Sequence, residues 1–201
     1  MSILVGLTGS IGAGKSLAAS YFEELGTYII YADKIGRNLV VPHKPAWGEI
    51  VKEFGGEYLN ADKTINRSKL AVEDFRNAKK KNILEAILHP RVIAEEKKIY
   101  LDHQRKDPKA IVIIDSALLI ESKNYKNVDK VIIVKSKKEL QIKRVMNRDN
   151  KSRDDVENRI QSQMSLEKKM IYADYYIDNT SGRDLLKNQV HNLYTTLKSL
   201  L

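Results

Sequence analysis

Glycines at a fixed spacing, followed by a lysine and a serine, lie near the start of the chain. Gly9, Gly14, Lys15 and Ser16 fit the pattern G-x-x-x-x-G-K-S, which is typical of a loop that binds nucleotide phosphates. In such a loop the glycines let backbone N–H groups face phosphate oxygens, the lysine reaches the β- and γ-phosphates, and the serine contacts Mg²⁺. An apolar run, Ile3 to Thr8, precedes the pattern, and a helix-like segment follows it. We therefore predict that the chain binds a nucleoside triphosphate.

Two aspartates stand at or just after the ends of predicted strands. In an open α/β sheet the carboxyl ends of the strands line the ligand crevice, so both acids are candidates for chemistry. Asp33 could orient or deprotonate an acceptor hydroxyl, or cap the helix that follows it, and the two roles are compatible. Asp115 could help to hold Mg²⁺, or it could bond the backbone of the next loop. The sequence leaves these alternatives open.

Two arginines could stabilise the charge of a phosphoryl group in transfer. Arg144 and Arg148 are four residues apart on a predicted helix, so they share one face. Paired guanidinium groups beside a triphosphate can clamp the transferring group. The other possibility is a pair of surface salt bridges, for which Glu139 and Asp149 are available.

The elements that must position these side chains alternate between strand and helix. Five short apolar segments rich in β-branched residues are predicted to be buried parallel strands. They are Ile3 to Thr8, Tyr28 to Tyr31, Ile111 to Asp115, Lys130 to Val134, and Tyr175 to Asp178. The first helical pattern runs from Ser16 to Leu25 and the last from Asp184 to Leu201. This alternation predicts a doubly wound α/β core.

Two stretches interrupt the alternation. About eighty residues with little strand character separate the second and third strands, and we predict a helical insertion that carries the acceptor site. His89 and Pro90 divide it, and Pro90 is predicted to be the first residue of a new helix. The second stretch, Ser136 to Ala173, is charged and helical, which fits a mobile lid or a surface hairpin of helices.

Composition narrows the class of protein. A chain of 201 residues without cysteine fits one domain with insertions and excludes disulfides and thiol catalysis. We expect a cytoplasmic protein, because no signal peptide or membrane-spanning run is evident. The net charge of +9 could indicate nucleic-acid binding, but its densest run, Lys79 to Lys81, has no interleaved aromatic residues. A solvated face and polyanionic small molecules are the favoured interpretation, with no nucleic-acid partner.

A GTPase switch is one alternative for a phosphate-loop protein. Residues 33–36 match its D-x-x-G element, but Asn150 to Arg153 places an arginine where guanine recognition needs a carboxylate. The acid, Asp154, comes one position late. A carboxylate at that position must accept hydrogen bonds from the N–H groups of the base edge, and an arginine would repel them. The sequence therefore favours a small kinase over a switch.

The order of the motifs resembles the dephospho-CoA kinase family over nearly the whole chain. The loop is shared by many enzymes, but two elements are more specific. Residues 32–37 resemble the family's A-D-x-I-A-R, and residues 141–149 carry its Q-x-x-R-x-x-x-R-D. Further matches are Asn66-Arg67 with Leu70, Leu88-His89-Pro90, Leu118-Leu119 before Glu121, Arg159 with Gln163, and Ala173-Asp174 with Ile177-Asp178-Asn179. The sequence departs from the family at Tyr31, where an acid is usual.

The resemblance implies an ATP-dependent phosphotransferase with an alcohol acceptor. Such an enzyme moves the γ-phosphate of ATP to the ribose 3′-hydroxyl of dephospho-CoA, with Mg²⁺, in the synthesis of coenzyme A. The implied fold is the three-layer P-loop NTPase fold, with a five-stranded parallel sheet, a helical CoA-binding insertion and a helical lid. The expected core is 1–60, 108–135 and 172–201, the insertion is about 61–107, and the lid is about 136–171.

The loop pattern and the resemblance together assign the candidate site residues. The catalytic candidates are Lys15, Asp33, Arg144 and Arg148. The candidates for nucleotide binding are Gly9, Gly12, Ala13, Gly14, Lys15, Ser16, Leu17 and Asn179, the last near the adenine. The acceptor-side candidates are Asp33, Arg37 and His89, and the metal candidates are Ser16 and Asp115. Another small-molecule kinase and, with less support, a basic nucleic-acid-binding module remain the alternatives, and the oligomeric state is left open.

Overall fold

The chain forms two compact units in a computed structural model that describes residues 1–70 and 77–201. One unit comprises Met1–Tyr31 and Ile99–Leu201, and the other comprises Ala32–Lys98. Within the described ranges, no helix is both long enough and apolar enough to cross a bilayer. The predicted core, insertion and lid boundaries stay a prediction.

The first unit is built on a five-stranded parallel sheet with the strand order β2-β3-β1-β4-β5. The strands are β1 (Ile3–Gly9), β2 (Tyr28–Tyr31), β3 (Ile111–Asp115), β4 (Lys130–Lys135) and β5 (Tyr175–Asp178). All five predicted parallel strands are confirmed, and β1 and β4 each extend one residue further than predicted. The prediction that all five are buried is wrong for β2 and β5, because they are the edge strands of the sheet and bury only Ile30 and Ile177 respectively. β1 lies at the centre of the sheet and is buried along its whole length, as the apolar run predicts for a strand covered on both faces.

Helices join the strands, as parallel pairing requires. They are α1 (Lys15–Glu24), α2 (Ala32–Leu39), α3 (Pro45–Phe54), α4 (Ala78–Lys106), α5 (Lys138–Asp149), α6 (Arg153–Gln161), α7 (Leu166–Met170) and α8 (Arg183–Lys198). The first helix begins one residue earlier than predicted, and the last ends three residues earlier. Alternation of strand and helix therefore yields the predicted α/β fold.

The main core lies between one face of the sheet and the helices α1 and α8. Successive side chains of a strand point to opposite faces, so Ile3, Val5 and Leu7 of β1 share one face. They pack in one buried cluster with Phe22 of α1 and Leu186 of α8. By the same alternation, the side chain of Asp115 points to the face of β3 that carries Ile111 and Ile113 in this cluster. The acid at the end of β3 is thereby directed to the side of the sheet that α1 covers.

The second unit is helical and has a core of its own. The buried side chains Ile50 and Phe54 of α3 pack with Ile65 and with Ile87 of α4. Beyond the helices, it contains a 3₁₀ turn at Gly56–Tyr58 and an isolated antiparallel bridge between Leu59 and Ile65. The unit therefore has the helical character predicted for the region between the second and third strands.

The predicted helix start at Pro90 is wrong. α4 runs without a break from Ala78 to Lys106, with Pro90 inside it. Proline lacks the N–H that would bond Ala86, and an interior proline costs a helix about 3 kcal/mol. The apolar side chains of Ile87 and its neighbours pack into the core of the second unit, and this burial offsets the lost bond. The side chain of Arg91 also donates to the Ile87 carbonyl oxygen at 2.6 Å.

Candidate active site

The loop between β1 and α1 has the backbone that a phosphate-binding loop needs. Gly12 has φ +76° and Gly14 has φ +96°, a left-handed region that side chains other than glycine rarely adopt. The Ala13 N–H donates to the Ser10 carbonyl oxygen at 3.0 Å, which closes a tight turn. Lys15 then begins α1, so the positive N-terminal end of the helix follows the loop directly. The arrangement matches an anion cradle of backbone N–H groups.

Neighbouring elements support the loop closely. A Cβ on Gly12 would lie 2.5 Å from the Gln141 carbonyl oxygen of α5, so no side chain fits there. The buried side chain of Asn179, just after β5, donates from Nδ2 to the Ala13 carbonyl oxygen at 2.9 Å. A Cβ on Gly14 would overlap that same amide group. Asn179, predicted near the adenine, therefore contacts the loop backbone, and its role toward adenine stays a prediction.

An ion pair joins the loop lysine to the acid at the end of β3. Lys15 Nζ donates to Asp115 Oδ1, and both side chains are largely shielded from solvent, with 13% and 6% of their surface exposed. The register pairs Leu7 of β1 with Asp115, so the strand before the loop lies directly beside the acid. Low solvent exposure strengthens such a pair. The structure therefore brings the Asp115 carboxylate to the loop lysine, and its role toward Mg²⁺ stays a prediction.

The candidate metal ligands offer suitable donor chemistry. The exposed hydroxyl of Ser16 lies in the first turn of α1, and the carboxylate of Asp115 lies beside Lys15 of the same site. Mg²⁺ in phosphoryl-transfer enzymes takes one or two protein oxygens and fills its shell with water and substrate phosphate. Across residues 1–70 and 77–201 there is no cluster of three or more acidic or histidine side chains that could hold a metal by itself. The hydroxyl of Ser16 and the carboxylate of Asp115 supply the one or two protein oxygens that Mg²⁺ takes beside a bound triphosphate.

The two arginines of α5 have different partners. Arg144 Nη1 donates to the Gly12 carbonyl oxygen at 3.4 Å and to Ser136 Oγ at 3.1 Å, and Nη2 donates to the Asn179 carbonyl oxygen at 2.9 Å. The side chain therefore contacts the backbone of the phosphate loop. Arg148 is exposed, and its Nε lies 2.7 Å from Asp149 Oδ1. Hydrogen bonding to Asp149 and the nearby negative charge raise the pKa of Arg148, despite partial desolvation.

The acceptor-side candidates lie in the second unit. Asp33 and Arg37 are exposed residues of α2, and Asp33 stands in its first turn, where an aspartate also suits the helix dipole. His89 is half-buried in α4. Desolvation lowers the pKa of Arg67, and the positive charge of Arg37 lowers it further. Two positively charged side chains, Arg37 and Arg67, thus lie within electrostatic reach of each other in this unit.

Several polar residues that contact the site were missed as site residues. Gln141 is buried and donates to the Ser136 carbonyl oxygen at 2.8 Å, and Gln163 Oε1 accepts the Ile11 N–H at 3.0 Å. Lys169 is fully buried and pairs with Glu121 at 3.0 Å. Gln141, Gln163 and Glu121 stand in motifs that the family resemblance includes, and this was the available signal. Nothing in the sequence marks Lys169, which occurs in a highly charged stretch.

Tyr31, which departs from the family pattern, ends β2 beside the phosphate site. Its register partner is Asp115, and its hydroxyl donates to Glu23 Oε2 of α1 at 3.3 Å. Burial raises the pKa of Tyr31, and the negative charges of Glu23 and Asp115 raise it further. The phenol therefore stays neutral at physiological pH and acts as a hydrogen-bond donor there.

Comparison with known proteins identifies relatives over nearly the whole chain. The family model described as dephospho-CoA kinase matches residues 3–184. A dephospho-CoA kinase of Bacillus anthracis is 41% identical over 182 residues, which is 89% of each chain. The structure of dephospho-CoA kinase from Campylobacter jejuni has a TM-score of 0.71 and 30% identity, and the match covers 99% of this chain and 98% of that one.

A second solved structure supports the fold. The crystal structure of TT1252 from Thermus thermophilus has a TM-score of 0.80 and 24% identity, with 98% of each chain covered. At that identity the likeness concerns the path of the backbone. The parallel sheet and its helices are therefore found in proteins of distant sequence.

Proposed function

The chain belongs to the dephospho-CoA kinase family, and we propose that it transfers the γ-phosphate of ATP to the ribose 3′-hydroxyl of dephospho-CoA. The observation that carries this proposal is the ion pair between Lys15 and Asp115 at a glycine-rich loop of P-loop geometry. A loop of this kind holds a triphosphate, and the family supplies the acceptor. The protein is accordingly an ATP-dependent kinase.

On the nucleotide side, we propose that the loop amides hold the phosphates and that Lys15 contacts the β- and γ-phosphates. Residues 9–17 supply N–H groups around a turn fixed by the left-handed glycines. Lys15 already faces the negative charge of Asp115, and a triphosphate offers it a second anionic partner in the same place. With a triphosphate bound, the amino group would contact the transferring phosphate beside Asp115.

Mg²⁺ is proposed to bind at Ser16 and Asp115. When bound, it would neutralise charge on the β- and γ-phosphates and help to align them. The chain's own contribution is to present one hydroxyl and one carboxylate beside the cradle. Lys15 holds that carboxylate in place by its ion pair.

On the acceptor side, we propose that Asp33 is the general base. It follows Tyr31 by two residues, and Tyr31 pairs with Asp115 in the sheet. β2 ends at Tyr31 and α2 begins at Ala32, so Asp33 lies in the first turn of the helix that directly follows the second strand. As a general base, its carboxylate would accept the proton of the ribose hydroxyl as that oxygen attacks phosphorus. Arg37 and His89 are proposed to bind the acceptor.

For the transition state, we propose that Arg144 and Arg148 stabilise the phosphoryl charge. A guanidinium group carries five N–H donors, so Arg144 can hold the Gly12 carbonyl oxygen and still offer donors to phosphate. Arg148 would have to exchange its bond with Asp149 for a phosphate contact. Most of the rate enhancement then comes from positioning and electrostatics, because this transfer needs little covalent chemistry from the protein.

The proposed partners are small molecules, and the proposed compartment is the cytoplasm. A net charge of +9 suits substrates that carry several phosphates, such as ATP and dephospho-CoA. No role in nucleic-acid binding is proposed, because the basic residues are scattered along the chain.

An acceptor panel tests the function. ADP formation is measured with ATP, Mg²⁺ and, in turn, dephospho-CoA, adenosine, a nucleoside monophosphate and shikimate, and each product is identified by mass spectrometry. We expect fast, saturable transfer to dephospho-CoA and slow or no transfer to the others. Lys15→Ala should lose about a hundredfold or more in rate while remaining folded, and Lys52→Ala, an exposed lysine, is the matched control. Preference for another acceptor would replace this function with that of another small-molecule kinase.

A further inference from the structure

A short segment after α6 links the phosphate loop to the residues that follow Asp115, and the mechanism above gives it no role. We call this segment, residues 162–170, the strap. It contains the end of the predicted lid, including Gln163 and the helix α7. Its polar side chains make contacts over long sequence distances in the first unit.

Gln163 contacts the phosphate loop itself. The N–H of Ile11, the third residue of the G-x-x-x-x-G-K-S pattern, donates to Gln163 Oε1 at 3.0 Å. Backbone N–H groups are the ligands by which such a loop holds phosphate, so their directions matter. The side-chain oxygen of Gln163 engages the Ile11 N–H and so fixes the backbone in the first turn of the loop, while the later N–H groups remain for phosphate.

The backbone that carries Gln163 is itself held. Its own N–H donates to the Ile160 carbonyl oxygen at 3.2 Å, and the next N–H, that of Met164, donates to Glu121 Oε1 at 3.2 Å. Ser165 then caps α7, since its hydroxyl oxygen accepts the Lys168 N–H. The Gln163 side chain therefore extends from a fixed stretch of chain.

A buried ion pair anchors the other end of the strap. Lys169 is fully buried, and its Nζ lies 3.0 Å from Glu121 Oε1 and 3.0 Å from the Ala117 carbonyl oxygen. The same carbonyl oxygen accepts the hydroxyl of Thr8 on β1 at 3.3 Å. A buried ammonium group must keep its partners, so this contact resists displacement. Ala117 comes two residues after Asp115, and the strap is thus fixed to the end of β3.

We propose that Gln163 is a positioning residue for phosphoryl transfer. The inference rests on the proposed function: held through Lys169 and Glu121, Gln163 keeps the first turn of the phosphate loop aligned with Asp115. Without it, Lys15 and the later amides of the loop still bind ATP. Alignment of the γ-phosphate with the acceptor oxygen is lost, and misplacement by about 1 Å can cost up to a hundredfold in rate.

Steady-state kinetics of three variants test this role. Gln163→Met keeps the length of the side chain but removes the acceptor oxygen, and Gln163→Glu keeps the oxygen but adds negative charge. Gln161→Met, at an exposed position of α6, is the matched control. We expect Gln163→Met to lower kcat about tenfold or more with a smaller change in the KM for ATP. Gln163→Glu should retain more of kcat and raise the KM for ATP, because its carboxylate repels the triphosphate, and Gln161→Met should match the wild type.

Amide hydrogen exchange gives a second readout that needs no substrate. The Ile11 N–H should exchange slowly in the wild type and faster in Gln163→Met, while the Val5 N–H of β1 stays equally protected. Equal exchange at Ile11 in the two proteins, or a wild-type kcat in Gln163→Met, would overturn the inference. If the wild type transfers no phosphate to dephospho-CoA, the proposed function fails, and the exchange result still decides whether Gln163 holds the loop.

Discussion

At the scale of single residues, the three basic side chains proposed to act in phosphoryl transfer have different bonding partners. Lys15 is paired with Asp115, and Arg144 is bonded to the loop backbone, whereas Arg148 is bonded to its exposed neighbour Asp149. Two arginines that share one helix face in the sequence thus have different surroundings in the structure. Their contributions to catalysis should differ accordingly.

The first prediction concerns Asp33. It stands in the first turn of α2, where a negative charge stabilises a helix by only about 0.3–1 kcal/mol. Asp33→Asn removes the base and keeps the size of the side chain. We expect kcat to fall by about a hundredfold or more, because general-base catalysis contributes that much, with little change in Tm. The measurement is steady-state transfer to dephospho-CoA beside thermal unfolding, and retention of the wild-type rate would leave Asp33 with a role in the helix only.

The second prediction separates Arg144 from Arg148. Arg144→Ala should lower both kcat and stability, because it also removes donors from the Gly12 and Asn179 carbonyl oxygens. Arg148→Ala should lower kcat with little loss of stability, since surface ion pairs contribute only about 0–1 kcal/mol. Kinetics and urea unfolding of both variants provide the check. If each variant weakens ATP binding by the same factor as it slows transfer, the arginines bind the ground state and the transition state equally. That result would contradict a specific role in stabilising the transition state.

At the scale of elements, contacts between neighbours set the shape of the loop. Close approach of α5 and of the segment after β5 leaves no space for a side chain at Gly12 or Gly14. The pattern of glycines in the sequence is therefore a packing requirement as well as a conformational one. The conformation of the loop therefore depends on α5 and on Asn179 after β5, as well as on the sequence of the loop itself.

The third prediction distinguishes these two requirements. Both glycines have a left-handed backbone, with φ +76° at Gly12 and φ +89° at Gly26. The methyl group of Gly12→Ala would also collide with the Gln141 backbone, whereas that of Gly26→Ala would enter open space. A left-handed conformation costs about 1–2 kcal/mol for a side chain other than glycine. Gly26→Ala should lose about that much in urea unfolding, and Gly12→Ala should lose more and bind ATP more weakly. Equal losses of unfolding free energy in the two variants would contradict this prediction, because they would mean that α5 shifts to admit the methyl group at no energetic cost.

The fourth prediction is the pH dependence of the contact between α5 and α6. The hydrogen bond from Arg148 lowers the pKa of Asp149, and the charge of Arg159 in α6 adds to the effect. A carboxyl group whose pKa is depressed on folding contributes stability at pH values above the ordinary pKa of an aspartate. That stability is lost as the pH falls through the lower folded value. Thermal unfolding should therefore show Asp149→Asn less stable than the wild type at neutral pH, with the difference disappearing in acid.

Much of the fold could be predicted because its signals are local. Runs of β-branched residues mark the strands, and the spacing from Gly9 to Ser16 marks the loop. Pro90 misled the prediction because packing of α4 overrides the local preference of proline. The roles of Gln163 and Lys169 could not be found, because their partners Ile11 and Glu121 are distant in sequence. Charged residues such as Lys169 are almost never buried unless they are paired, and the sequence does not show the pair.

At the scale of the whole molecule, each unit carries a different part of the proposed chemistry. The first unit holds the nucleotide-side residues Lys15, Asp115 and Arg144, and the second holds Asp33 and the acceptor-side candidates. The net charge of +9 is in keeping with two substrates that are both polyanions.

The position of the transferred phosphate decides whether the protein phosphorylates the ribose 3′-hydroxyl of dephospho-CoA. Wild-type protein is incubated with ATP, Mg²⁺ and dephospho-CoA, and the purified product is examined by phosphorus NMR. We expect one new phosphomonoester on the ribose 3′-oxygen, formed in equal amount with ADP. A phosphate on another atom, or ADP released from folded protein without a phosphorylated acceptor, would contradict it.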